Sequence, residues 1–318
     1  VTATAARVVL VPAGALRDEL GEVPADMRLV ALGEGAEPGP EHLDAEFLVL
    51  GAELRHLVPR LAELRRLRVV QTLNAGVETM LPFVPEGVRL CNASGVHDVP
   101  VAEWAVAALI ALRRGFPRFL DAQREGRWDT EGNALTTPPE LIPFEDLEGA
   151  RVLIVGYGSI GRRIEQLLVP FGVEIERVAF HPRPSVHGPE QLDQLLPATD
   201  VVVLMAPLTD ATRGLLDERR LALLPDGAVV VNGARGSMID QGALERELRA
   251  GRLRAALDVT DPEPLPAGAS LWSAPGLIIT PHTAGSSRAW MRRAYRFAGE
   301  QLRRYAAREE LHNVRSLY

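Results

Sequence analysis

Three short segments carry side chains suited to moving a proton beside a bound anion. Val229-Val-Val-Asn232 runs into Gly233-Ala234-Arg235-Gly236, an apolar stretch ending in small residues around one arginine. Asp258-Val-Thr-Asp-Pro leads to Glu263-Pro264, a carboxylate held between prolines, and Ile278-Ile-Thr280-Pro281 leads to His282-Thr283. A guanidinium stays charged at every working pH and clamps carboxylates through a planar fork. An imidazole can give or take a proton, and a neighbouring carboxylate orients the ring and stabilises its charged form. Singly, each segment has a plain explanation as a surface side chain or a turn. Three strand ends offering Arg235, Glu263 and His282 within one unit point instead to acid–base chemistry at the carboxyl edge of an open sheet, where such sheets take ligands.

A glycine-rich loop lies upstream. Val152-Leu-Ile-Val155 is followed by Gly156-Tyr157-Gly158-Ser159-Ile160-Gly161, and then by Ile164, Leu167 and Leu168 at helical spacing. A bare G-x-G-x-x-G is weak; between an apolar strand and a helix it becomes a dinucleotide fingerprint. Gly156 permits the tight turn, Gly158 lets backbone N–H groups approach a pyrophosphate, and Gly161 allows close helix–strand packing. The anion then rests on a helix N-terminus, where unpaired donors and the dipole favour negative charge. An NAD site places an acidic residue about 20 positions beyond the loop, for the ribose 2′-hydroxyl. Counting from Gly161 reaches His181, with Arg183 two residues on and no Asp or Glu between them. Those side chains can hydrogen-bond a 2′-phosphate that a carboxylate would repel, so NADP is favoured over NAD. The alternative is that both are solvated loop residues and the site accepts either dinucleotide.

The elements that must position these groups follow from β-branched runs alternating with helical stretches, the pattern of an α/β chain with parallel sheets. Strands are expected at 7–11, 27–31, 47–50, 69–73 and 88–92, then at 152–155, 173–179, 201–205, 228–232, 255–258 and 277–280. Leu54, Leu57, Val58, Leu61 and Leu64 recur at helical spacing, giving one buried face. Residues 100–112 read as a buried helix and 288–308 as an arginine-rich amphipathic one. Residues 126–149 hold Gly, Pro, Thr and acidic residues with little periodicity and read as an arm.

Composition narrows the function. The 318 residues are 47% hydrophobic and 24% charged, with a net charge of −7, which suits two ordinary domains and argues against nucleic acid. All 35 basic residues are arginine, which removes Schiff-base chemistry and a P-loop lysine. Cys91 is the one cysteine, so no internal disulfide forms and a reducing cytoplasm is expected. The longest apolar run, 104–112, is too short to cross a bilayer, and no charged-then-apolar leader opens the sequence. His42, His56, His187 and His312 show no metal-ligand spacing.

With these segments in order, the sequence resembles the D-isomer-specific 2-hydroxyacid dehydrogenase family over nearly its whole length. The resemblance rests on Gly156–Gly161, Val231-Asn-Gly-Ala-Arg235-Gly, Asp258 with Glu263-Pro264, Pro281-His282-Thr-Ala-Gly285, Asn74-Ala75-Gly76-Val77 and Val101-Ala-Glu103. It is nearest to glyoxylate/hydroxypyruvate reductase-like members, and departs from them in lacking an acidic residue near His181. It implies a Rossmann-type dinucleotide-binding domain at 99–285, inserted into a flavodoxin-like substrate domain built from 1–98 and 286–318. It also implies that Arg235 clamps the substrate carboxylate, that His282 is the general acid and base, and that Glu263 supports the imidazole. Asn74, Ala75, Gly76 and Val77 would bind substrate together with Arg235 and His282. Pro207, Thr212, Gly233, Ala234, Asp258 and Gly285 would join the glycine loop, His181 and Arg183 around the cofactor, with Asp258 at the nicotinamide ribose. The arm would embrace a second subunit, giving a homodimer.

Alternatives stay open within and beyond this class. Formate dehydrogenases of the superfamily carry Gln where Glu263 stands, and phosphite dehydrogenases use a lysine that this sequence lacks. A phosphoglycerate dehydrogenase remains possible. A dinucleotide-sensing, corepressor-like protein would keep the same residues but show little turnover.

Overall fold

A computed structural model describes residues 6–138 and 141–315. The chain divides into two compact units, Val1–His97 with Ser287–Tyr318, and Asp98–Ser286. In the first unit, strands β1 (Arg7–Pro12), β2 (Met27–Leu32), β3 (Ala45–Leu50), β4 (Val69–Thr72) and β5 (Arg89–Cys91) pair in parallel in the order β5-β4-β3-β1-β2. That is the flavodoxin-like order. The short strand Val314–Arg315 adds antiparallel to β5. Alternate residues feed opposite faces. Val8, Leu10, Leu48 and Leu50 pack with Leu54, Leu57 and Leu61, while Val9, Val11, Phe47 and Val49 pack with Ala294, Ala298 and Leu302 of the helix Trp290–Ala306. Both faces are covered, which is why these strands read as continuous apolar runs.

The leucine-spaced stretch is a correction to the sequence reading. Ala52–Glu63 is 3₁₀ rather than α-helical, with Pro59 inside it. Proline lacks the N–H and crowds the carbonyl four residues back, so an α-helix is blocked there. Leu54, Leu57, Val58 and Leu61 are buried nonetheless.

The second unit holds β6 (Arg151–Val155), β7 (Glu174–Val178), β8 (Val201–Leu204), β9 (Val229–Asn232), β10 (Arg254–Leu257) and β11 (Leu277–Ile279). They are all parallel, in the order β11-β10-β9-β8-β6-β7. A one-residue parallel bridge from Val178 to His187 lies where a further strand outside β7 would complete the Rossmann order. The helix Asp98–Arg113 covers one face through Ala102, Ala105, Leu109 and Leu112, packed on Val152, Ile154, Val203 and Val231. The arm after residue 126 is irregular and folds back on this unit. Arg118 makes a two-pronged contact with Asp129 at 2.8 and 2.9 Å, and Phe144 packs on Phe119 at 5.3 Å between ring centres.

Candidate active site

The loop Gly156–Gly161 joins β6 to the helix Ser159–Leu168. Its three glycines meet three different surroundings. Gly156 has φ +99, and a Cβ there would lie 2.3 Å from the backbone nitrogen of Ala206, after β8. At Gly161 a Cβ would lie 2.7 Å from the carbonyl oxygen of Gly156. A Cβ at Gly158 would meet nothing within 4 Å, so packing within the protein does not require glycine there. The open side of Gly158, at the start of a helix, fits the close approach of a pyrophosphate. Ser159 donates to Asp98 at 3.0 Å, fastening the loop helix to the start of Asp98–Arg113, and Ile160 packs against the same core face. Tyr157 points its hydroxyl at Glu165.

Beyond β7, His181 and Arg183 are exposed. Arg183 donates to the carbonyl of Tyr157 at 2.9 Å. Thr212 is engaged in its own loop, its hydroxyl donating to the Pro207 carbonyl at 2.8 Å and accepting from Thr209 N–H at 2.7 Å.

Strands β9, β10 and β11 are neighbours, and their ends are cross-linked. Asn232, fully buried, accepts from Ala234 N–H at 3.0 Å and donates to the Arg235 carbonyl at 2.9 Å, so it shapes the turn that presents Arg235. Gly233 lies against Met205 and Trp104. A Cβ at Gly236 would fall 2.1 Å from the Thr260 carbonyl, which brings the arginine turn against the segment leading to Glu263. Glu263 Oε1 is 2.6 Å from His282 Nδ1, with the two side chains 41% and 52% exposed.

Asp258 organises the histidine. It is 3% exposed. Its Oδ1 accepts from the Thr280 hydroxyl at 2.5 Å and from Thr283 N–H at 2.8 Å, and its Oδ2 accepts from Ala284 N–H at 2.9 Å. Its own carbonyl accepts from His282 N–H at 2.7 Å. His282 adopts φ 53, a left-handed conformation, and Asp258 braces the residues on both sides of it. Both carboxylate oxygens of Asp258 are therefore used inside the protein. Gly285 is half-buried just beyond this turn. Sequence reading did not single out Asn232 or the bracing contacts of Asp258, because their partners are backbone groups that leave no side-chain signature.

In the first unit, the turn after β4 has its carbonyls drawn inward. The Asn74 carbonyl accepts from Thr72 at 2.6 Å and from Ala93 N–H at 2.9 Å, and the Ala75 carbonyl accepts from Asn92 at 2.5 Å. The N–H groups of Ala75, Gly76 and Val77 donate to no protein acceptor among the described residues. Asn92, 4% exposed, is another site-shaping residue the sequence did not flag.

A doubly wound unit with a glycine loop at one strand end and an Arg, Glu and His set at three others defines a dinucleotide-dependent α/β oxidoreductase frame. Residues 106–284 match the description of the D-isomer-specific 2-hydroxyacid dehydrogenase NAD-binding domain. The chain belongs to that family. It is 31% identical over 258 residues to the glyoxylate reductase of Aeropyrum pernix, covering 77% of this chain and 75% of that one. It is 27% identical over 309 residues to the D-3-phosphoglycerate dehydrogenase of Methanocaldococcus jannaschii, covering 93% of this chain but 56% of that one. Among solved structures, a D-isomer-specific 2-hydroxyacid dehydrogenase from Xanthobacter autotrophicus in complex with NADPH and MES matches with a TM-score of 0.80 and 29% identity. That match covers 98% of each chain.

Proposed function

We propose that this protein reduces small 2-oxo acids of the glyoxylate and hydroxypyruvate type to 2-hydroxy acids, with NADP preferred over NAD. The observation that carries this reading is the 2.6 Å contact between His282 Nδ1 and Glu263, one strand away from the Arg235 turn. With Nδ1 engaged, Nε2 is the nitrogen left to serve a substrate. The bound nicotinamide supplies the hydride. His282 gives its proton to the keto oxygen and, in the reverse direction, takes it from the hydroxyl. Glu263 sets the ring orientation through its contact with Nδ1. Arg235 binds the substrate carboxylate, a charge-assisted contact worth roughly 1.5–3 kcal/mol. The free amides of Ala75, Gly76 and Val77 are a second anion-binding element, suited to the same class of ligand. The open Gly158 loop takes the pyrophosphate, and His181 with Arg183 takes the 2′-phosphate. Glyoxylate reductases among the relatives, and a structural neighbour solved with NADPH, support the substrate class and the cofactor.

The arm supports a homodimer. Phe116, Leu120, Trp128, Leu135, Leu141 and Trp272 are all exposed, and a groove of about 950 Å³ runs between Phe116, Leu120 and Trp272 beside β11, the edge strand. A second copy covering that face would bury these side chains. Among the described residues no helix is long and apolar enough to cross a membrane.

The test is His282→Ala. Reduction of glyoxylate and hydroxypyruvate should fall by about a thousandfold, the scale of a lost general acid, while NADP⁺ affinity stays within about twofold. A variant that kept most of its rate would end the acid assignment. A wild-type protein that binds NADP⁺ but turns over none of a panel of 2-oxo acids would instead be a dinucleotide sensor.

A further inference from the structure

Around the second residue of the glycine loop stands a cluster that the proposed reaction does not use. Tyr157 lies between Gly156 and Gly158, and its N–H is tied to the Val178 carbonyl at the end of β7 at 3.2 Å. Its hydroxyl donates to Glu165, one turn and a half along the loop helix. Glu165 is gripped by Arg177 of β7, whose Nε donates at 2.9 Å and whose Nη2 contacts the other oxygen. The Arg177 guanidinium holds the Glu165 carboxyl below the usual carboxylate range, while burial and the Glu165 hydrogen bond raise the Tyr157 phenol above its own. The phenol therefore stays a donor at neutral pH. Two guanidinium groups flank the Tyr157 ring, Arg177 at 5.6 Å and Arg183 at 5.5 Å from its centre.

These two arginines are not equivalent. Arg177 is half-buried and neutralised by Glu165. Arg183 is exposed and has no carboxylate partner among the described residues. Its guanidinium contacts the Tyr157 ring, the Tyr157 carbonyl at 2.9 Å and, through a long bond, the His181 carbonyl at 3.4 Å. Two of these three run to Tyr157. A free arginine side chain carries considerable rotamer entropy, which is lost when it grips a phosphate. Stacking it on a ring that is itself tethered removes much of that loss beforehand.

We propose that Tyr157, tethered by Glu165 and Arg177, is a positioning and specificity-determining residue that holds the Arg183 guanidinium ready for the 2′-phosphate of NADP. The inference rests on the NADP reading given above and adds what fixes the cation in place. Glu165 has a second part in this. By cancelling Arg177 it removes a like charge that would push Arg183 away from the shared ring.

The experiment compares 2′,5′-ADP with 5′-AMP by calorimetric titration of the full chain, because the pair differs only in the 2′-phosphate. A general loosening of the site would weaken both ligands alike and leave their affinity ratio unmoved. Arg183→Ala should bring the ratio close to one, and Tyr157→Leu should lower it about fivefold, the scale of an exposed cation–π contact. In the double variant, Tyr157→Leu should add nothing further, because the residue acts through Arg183. If the wild-type ratio is already close to one, the NADP reading itself fails; if a high ratio survives Arg183→Ala, the 2′-phosphate is read by another group and the positioning proposal is overturned. If Arg183→Ala collapses the ratio but Tyr157→Leu does not, or if the two losses simply add, the NADP reading stands and the positioning role of Tyr157 is overturned. Should Tyr157→Leu fail to fold, Tyr157→Phe decides the same cycle. It keeps the ring but cuts the tether, and should cost about threefold in the ratio; a wild-type ratio there refutes the tether.

Discussion

Asp258→Asn is the substitution whose outcome the geometry fixes most tightly. The aspartate presents two oxygens to three donors, all within the turn that carries His282. The Thr280 hydroxyl and Thr283 N–H share Oδ1, and Ala284 N–H uses Oδ2. An asparagine has one oxygen to offer. With that oxygen at the Oδ1 position, two contacts survive as neutral hydrogen bonds and the amide NH₂ faces Ala284 N–H, donor against donor. The opposite flip is worse, because it strands Thr283 N–H. The better flip thus loses one hydrogen bond to a charged acceptor in a buried setting, about 2 kcal/mol, and weakens two more. For a unit the size of Asp98–Ser286, that corresponds to a fall in melting temperature of about 4–8 °C.

The kinetic consequence is larger than the loss of stability. His282 is held at φ 53 with its N–H on the Asp258 carbonyl, so a relaxed turn moves the imidazole relative to Glu263. A misplacement near 1 Å costs about a hundredfold in rate. Steady-state reduction of glyoxylate should therefore lose about a hundredfold in kcat, with NADPH affinity, read by fluorescence quenching, changed far less. A variant with normal kcat and a lowered melting temperature would show that the histidine turn is set by something else. One with normal kcat but much weaker NADPH binding would place Asp258 at the cofactor instead of behind the acid.

Further outcomes follow from other contacts. Gly156→Ala forces a side chain to 2.3 Å from backbone at φ +99 and should destabilise the fold by about 2 kcal/mol or more in chemical denaturation. Gly158→Ala meets open space, so its stability should stay within about 0.5 kcal/mol of wild type while NADPH affinity falls about tenfold or more. Cys91 is fully buried and burial pushes its thiol up to about 11, so at pH 8 it should react with a thiol reagent only as fast as the first unit opens, and immediately in denaturant. Leu120→Asp, at an exposed position in the groove beside β11, should shift sedimentation from dimer to monomer; an unchanged profile would remove that face from the interface.

The strands were legible because parallel strands buried on both faces leave continuous apolar runs, and every expected strand has a counterpart within a few residues. The leucine spacing at 54–64 identified the buried face correctly but not the helix type. Periodicity reports which side chains face the core, whereas Pro59 decides the hydrogen-bonding pattern. The single bridge between Val178 and His187 was invisible, since one paired residue leaves no pattern. At the candidate site, the residue types suited to acid–base chemistry stood out by themselves, but what orients them did not. Asn232 and Asn92 act on backbone groups from buried positions, and nothing in a sequence marks an asparagine as a brace.

This difference has a physical origin that bears on how the site works. The general acid proposed above must be reachable, and His282 and Glu263 are both close to half exposed. Exposed hydrogen bonds are screened, so the Glu263 contact can set the direction of the ring but cannot anchor the pair to the fold. Rigidity has to come from below, where Asp258 and Asn232 are buried and each closes several backbone contacts in a low-dielectric setting. The reactive layer can then stay open to substrate while the strand ends under it remain fixed. On this reasoning, substitutions at the buried braces should cost rate and stability together, whereas Glu263→Gln should cost rate with the melting temperature nearly unchanged.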